Sequence, residues 1–185
     1  VGSEMCIRDR TIGNNITSPY GKTKYFSEII LQDFCKSNKQ FNVISLRYFN
    51  PVGAHKSGLI GEDPNDIPNN LMPFILKVAK KNNVKNNLNN IFNTLNIFGK
   101  NYNTDDGTCE RDFIHVVDLA KAHVKSCNNI GKFKNYETFN IGTGKPVSVL
   151  KLVETFTKIN KVKLPFEFKE KRQGDNTKIY CNCTK

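Results

Sequence analysis

The sequence predicts an α/β fold built on parallel strands. Short β-favouring runs alternate with stretches of helical period, helix starts carry capping residues, and the composition is globular, with 38% hydrophobic and 24% charged residues. Ser18-Pro19 opens the first helix, because a serine oxygen caps free backbone N–H groups and proline suits the first helical position. Phe26, Ile29, Ile30 and Phe34 then recur at helical spacing over Tyr20 to Lys36, an apolar face expected to be core. Val43-Ile44-Ser45-Leu46 reads as a buried strand. From Asn50 to Pro68 the chain holds three glycines and three prolines without a sustained period, which predicts a long loop of the kind that serves a site. Asn70 caps a helix running to about Lys80, and the Asn-rich residues 81–94 read as a polar insertion or connector rather than a packed element. Leu95 to Phe98 and Phe113 to Val116 are expected strands, and Val117 to Asn128 is an expected helix with Asp118 well placed in its first turn. Phe139-Asn140-Ile141 leads into a tight Gly142-Thr143-Gly144 turn, and Ser148 caps a last helix whose apolar positions are Val149, Val153 and Phe156.

Bulk properties exclude several classes. At 185 residues the chain has the length of one ordinary domain. No apolar run approaches the ~20 residues of a membrane span, and VGSEMCIRDR lacks the apolar core of a secretory signal, so no membrane partner and a cytoplasmic location are expected. The six cysteines are scattered without a CxxC pair, and His55, His115 and His123 have no metal-ligand spacing; free thiols and no metal follow. The formal charge of +11 raises nucleic-acid binding. Its lysines and arginines are spread along the whole chain, however, with no reading motif and no interleaved aromatics, so no nucleic-acid partner is expected. A chain rich in Lys, Asn and Ile acquires such a charge through A- and T-rich codons.

Tyr20 and Lys24 stand four apart, on one face of the first helix. A phenol is a poor base at neutral pH, and a nearby ammonium favours the phenolate. At ~4 Å and an effective dielectric of ~20 the attraction is at most on the order of 4 kcal/mol, enough to bring tyrosine toward acid/base work. The spacing alone is common, and two surface helix residues would satisfy it equally well.

The context is more specific. SPYGKTKYFSE, LRYFNPVGAHKSGLIGEDPNDIPNNLMPFI and IFGKNYNTDDGTCERDFIHVVDLAKAH occur in this order. From about Ser18 to Tyr180 the chain resembles the UDP-glucose 4-epimerases of the extended short-chain dehydrogenase/reductase family, with residues 1–10 unmatched. That resemblance implies a partial Rossmann-like doubly wound parallel sheet lacking its N-terminal half, followed by a smaller substrate-binding α/β domain. Residues 11–50 would end the NAD-binding domain, and 51–185 would form most of the UDP-sugar domain.

By the same resemblance, Tyr20 is the catalytic acid/base, and Lys24 lowers its pKa and hydrogen-bonds the nicotinamide ribose. The sugar 4-hydroxyl gives up its proton while the C4 hydride passes to NAD; the 4-keto sugar turns over, and the hydride returns to its other face. Phe49 lines the nicotinamide, Asn50 is a sugar-side contact and Asn70 meets the diphosphate region. Asn96, Ile97 and Phe98 form the uracil-holding strand, and Arg111, Arg172 and Asp175 hold diphosphate and ribose. Guanidinium suits that task because its planar donors fork onto phosphate oxygens. Ile179 gates the room beside the sugar and leans toward plain UDP-hexoses, UDP-glucose and UDP-galactose. A homodimer is also implied. Asp112, His115 and Asp118 take structural roles at a turn, a strand end and a helix start.

The family's glycine-rich NAD turn and its catalytic Ser or Thr have no counterpart ahead of Tyr20, and neither Thr17 nor Ser18 is assumed to replace the latter. The expectation is a piece of a longer enzyme, inactive alone, with an exposed sheet edge and apolar face. A nucleotide-sugar dehydratase, decarboxylase or reductase of the same fold, or a catalytically dead sugar-nucleotide-binding module, is the competing reading.

Overall fold

A computed structural model describes residues 16, 19–83 and 90–184. Ser18, Thr17, residues 1–10 and the middle of the Asn-rich run lie outside the described residues. Four helices are present among those described: α1 (Pro19–Ser37), α2 (Leu71–Asn83), α3 (Val116–Asn129) and α4 (Val149–Asn160). The strands are β1 (Val43–Tyr48), β2 (Asn50–Val52), β3 (Leu95–Phe98), β4 (Glu110–His115), β5 (Tyr136–Ile141), β6 (Pro146–Ser148), β7 (Phe166–Lys169) and β8 (Lys178–Ile179). Each register resolved (β1 with β5, β2 with β4, β3 with β7) is parallel, as the alternation of strands and helices requires.

The chain folds into two compact units interleaved along the sequence. The first takes Gly53–Arg111 and Val147–Lys178, and the second takes the described residues up to Val52, Asp112–Pro146 and those from Ile179 onward. The boundary expected at residues 50/51 therefore marks one passage between units, while residues 112–146 belong with the Tyr20 helix rather than with the segment that follows residue 51. Backbone continuity cannot reveal this, because strands from distant stretches are gathered by pairing.

In the second unit β1 runs parallel to β5, from Val43 opposite Tyr136 to Tyr48 opposite Ile141, and β2 runs parallel to β4. Helix α1 packs on β1 and β5, and α3 packs on β1 and β2. The face that α1 buries carries Gly21, Glu28 and Cys35, seven residues apart. The Phe26, Ile29, Ile30, Phe34 stripe, expected as core, mostly faces outward: Phe26 is 57% and Ile30 67% exposed. Beside Cys35, this face buries an ion pair. Glu28 accepts from Arg47 Nε at 2.8 Å and Nη2 at 2.5 Å, and from the Ser45 hydroxyl at 3.3 Å.

The second unit is tied together by Asp112, which is fully buried. Its carboxylate accepts from the Thr143 amide at 2.8 Å, the Thr143 hydroxyl at 2.5 Å, the Gly144 amide at 2.9 Å and the Cys181 amide at 3.0 Å. The Gly142-Thr143-Gly144 turn thus wraps a carboxylate of its own chain. A side chain at Gly142 would meet Cys181 Cβ at 2.5 Å and Asp112 Oδ2 at 2.7 Å, which excludes any larger residue. His115 caps α3 by accepting from the Val117 amide, and Asp118 pairs with Lys121 at 3.0 Å, the structural roles expected of them.

In the first unit α2, α4, β3 and β7 enclose a core of Ile75, Val78, Ala79, Phe92, Leu95, Ile97, Val153 and Leu164. The Ser148 cap holds, its hydroxyl accepting from Lys151 N at 3.1 Å. The reading of 81–94 as an unpacked connector fails at both described ends. α2 continues to Asn83, whose amide exchanges two hydrogen bonds with Lys163 at 2.8 and 3.0 Å, and Phe92 is buried against Phe74. Asparagine side chains here imitate a strand partner, which composition cannot disclose.

The loop between β3 and β4 is braced by Asp106, which accepts from the amide and hydroxyl of Thr108 at 2.8 and 2.7 Å and from the Ser148 hydroxyl. Burial pushes its carboxyl up, but the hydrogen bonds from Ser148 and Thr108 outweigh that and hold it below the ordinary value. A lowered folded pKa means a contribution to stability that is present above the unfolded pKa and lost as pH falls through the folded one. Asp106→Asn should therefore destabilise by about 1–2 kcal/mol at neutral pH. In urea unfolding, the gap to wild type should narrow as pH falls through the lowered folded pKa of Asp106; a gap independent of pH would show that the charge of Asp106 plays no part.

Candidate functional site

Two groups of side chains carry the expected chemistry, one in each unit. In the second, α1 presents Tyr20 and Lys24 one turn apart, with the ammonium 5.2 Å from the phenol ring centroid. Tyr20 is 49% exposed and Lys24 is exposed, so the pair faces outward from the helix and is open to a ligand. Phe49 and Asn50 follow β1; the Phe49 amide donates to Ile141 O at 3.1 Å, which fixes the backbone at the end of the β1/β5 pair. The Asn50 side chain is exposed and Ile179 is half-buried in β8.

In the first unit, residues from three separated stretches converge. Asp175, with only 7% of its side chain exposed, bridges two guanidinium groups: Oδ1 accepts from Arg111 at 2.6 Å and Oδ2 from Arg172 at 2.8 Å. Arg111 also donates to the carbonyls of Glu110 and Asn176, each at 2.8 Å, which fixes its plane. The Arg172 guanidinium lies over the Phe98 ring, 5.1 Å from its centroid, and that ring is partly exposed at the end of β3. A stacked guanidinium and a bridging carboxylate hold two cations beside an open aromatic face, an arrangement suited to an anionic ligand with a flat ring.

The other expected contacts of this unit differ in exposure. Asn96 is half-buried on β3, whereas the Ile97 side chain is fully buried in the core, so only its backbone is left to meet a ligand. Asn70 is exposed and donates to Glu62 at 2.7 Å. Sequence reasoning passed over Lys171 and Tyr102. The Lys171 ammonium sits 4.3 Å from the Tyr102 ring centroid and donates to Asn101 O at 3.0 Å. The available signals were a basic residue beside Arg172 and an aromatic four places beyond Phe98. Among the described residues no group of His, Cys, Asp and Glu is arranged to hold a metal ion, and no helix is long and apolar enough to cross a membrane.

Residues 3–142 match the NAD dependent epimerase/dehydratase family. The chain belongs to this family. The match takes in residues 3–10, a stretch expected to stand outside it. Among relatives, the UDP-glucose 4-epimerase of Drosophila melanogaster is 47% identical over 172 residues, 92% of this chain and 47% of the relative. That of Caenorhabditis elegans is 46% identical over 183 residues, 97% of this chain and 50% of the relative. The chain thus spans about half the length of the curated relatives it matches. Among solved structures, the UDP-glucose-4-epimerase of Stenotrophomonas maltophila, with bound NAD and formylated UDP-arabinopyranose, superposes with a TM-score of 0.85 at 38% identity. It is covered over 49% of its length by 95% of this chain. The Bifidobacterium longum enzyme in complex with NAD+ and UDP gives 0.82 at 40% identity over the same shares. The likeness to UDP-glucose 4-epimerases and the Rossmann-like α/β class read from the motifs are both borne out.

Proposed function

We propose that this chain is the acid/base and nucleotide-sugar-holding part of an NAD-dependent UDP-glucose 4-epimerase that interconverts UDP-galactose and UDP-glucose in galactose metabolism. The observation that carries the reading is the convergence of Phe98, Arg111, Arg172 and Asp175 into one cluster in the first unit. Arg111 and Arg172 neutralise the diphosphate, the Phe98 face packs on the uracil beside Asn96 and the Ile97 backbone, and Asp175 orders both cations and meets the ribose. Asn70 adds a contact at the diphosphate. Anchoring the nucleotide leaves the sugar free to present either face.

Tyr20, Lys24 and Phe49 fit the nicotinamide side of the cofactor, because an outward-facing phenol and ammonium one turn apart match a ribose hydroxyl and a sugar hydroxyl. Bound NAD would take up and give back the sugar C4 hydride. Tyr20 takes the 4-hydroxyl proton as the 4-keto sugar forms and returns it after that sugar has turned. Lys24 steadies the phenolate, and Asn50 holds the sugar. Ile179, of intermediate size, favours plain hexoses over N-acetyl sugars. A cytoplasmic homodimer without nucleic-acid or membrane partners completes the reading. The epimerase activity in this reading is supported by relatives that share the epimerase name rather than that of a dehydratase or reductase.

The test is calorimetric titration of the chain with UDP. One saturable site is expected, at which UDP-glucose and UDP-galactose compete, and Arg172→Ala should weaken it at least about tenfold. No saturable binding, or binding indifferent to Arg172, would reject the reading.

A further inference from the structure

Tyr102 is held more rigidly than its place in a loop requires. At the end of β3, Gly99 adopts a φ of +86°, and a side chain there would collide with the Tyr102 ring, so the ring lies directly on the strand backbone. The Lys171 ammonium covers the ring at 4.3 Å. The Tyr102 amide donates to Gly107 O and its carbonyl accepts from the Thr104 amide, both at 2.9 Å. The residue is 8% exposed. In this cage the phenol oxygen is buried and has no hydrogen-bond partner among the described residues.

That oxygen lies within electrostatic reach of Asp175, Arg111 and Arg172. A buried hydroxyl without a partner is destabilising, and phenylalanine would pack on Gly99 and under Lys171 just as well. The hydroxyl therefore calls for a partner that arrives with a ligand. Burial, reinforced by Asp175, pushes the phenol above its ordinary value against the opposing pull of the two arginines, so it stays protonated and able to donate. Lys171, Arg111 and Arg172 outnumber the Asp175 carboxylate in this cluster, which makes the incoming acceptor an anion.

We propose that the Tyr102 hydroxyl donates a hydrogen bond to a phosphate oxygen of the nucleoside diphosphate held by Arg111 and Arg172, a binding contact additional to those expected from the sequence. The inference rests on the reading of the first unit given above.

Tyr102→Phe in the 185-residue chain separates the possibilities. UDP and inorganic pyrophosphate are titrated calorimetrically, and thermal unfolding is followed without ligand. A hydrogen bond to a charged acceptor predicts a Kd for both probes that rises at least about tenfold. Because the lost hydroxyl was unpartnered, the unfolding temperature without ligand should be unchanged or higher. Unchanged affinity in a wild type that does bind UDP would overturn this contact while leaving the wider reading intact. A loss confined to UDP would move the contact off the phosphates and overturn it, and a fall in unfolding temperature would mean that the hydroxyl already has a partner in the free protein. A wild type that fails to bind UDP would remove the underlying reading and this inference with it.

Discussion

Replacing Tyr20 by phenylalanine is expected to cut epimerase turnover by a factor of about 10²–10⁴ while leaving UDP affinity within about twofold of wild type. The assay uses a chimera that joins this chain to the part of the Drosophila melanogaster relative that it does not cover, with UDP-galactose as substrate. The asymmetry follows from where the groups sit. Tyr20 contributes a half-exposed phenol on α1 beside Lys24, whereas the cations proposed to hold the nucleotide belong to the first unit and are ordered by Asp175. Phenylalanine retains the ring under the ammonium and loses only the hydroxyl proposed to carry the proton. Equal losses in turnover and UDP affinity would make Tyr20 a structural residue instead.

The largest effect on stability is expected at Glu28. Its carboxylate and the Arg47 guanidinium have side chains only 8% and 5% exposed. Glu28→Ala would leave a buried cation without its counter-charge, at about 3–5 kcal/mol of unfolding free energy. Replacing both members with apolar residues of similar volume, Glu28→Met with Arg47→Leu, should recover most of that loss, because the desolvation of both charges is then avoided. Urea unfolding of the two single variants and the double decides the matter. Additive losses would mean that the pair is not coupled across α1 and β1.

These two predictions mark what could and could not be read from the chain alone. Tyr20 and Lys24 were legible because a helix fixes the relation of residues four apart, and Ser148 was legible because capping is local. Arg111, Arg172 and Asp175 could be proposed only through motif resemblance, since the contact between Arg111 and Asp175 spans 64 positions. Glu28 was hidden by its neighbours. The apolar residues of α1 follow a helical period, yet the packed face is the one carrying Gly21, Glu28 and Cys35, because a sheet contact can be made through a satisfied ion pair. The Asn-rich run misled in the opposite direction, since Asn83 completes the Lys163 backbone and Phe92 enters the core.

Strand β4 carries consecutive residues with opposed duties. Arg111 pairs with Asp175 in one unit, and Asp112 is the buried carboxylate that ties together the other. Successive strand residues point to opposite sides, so the division of labour depends on counting parity. Adding or dropping a single codon in this hexapeptide would set a guanidinium against the donors of Thr143, Gly144 and Cys181 and take away the carboxylate that accepts from them. Lineages carrying this gene should therefore vary β4 by exchange and never in length, and put their insertions into stretches such as residues 55–68.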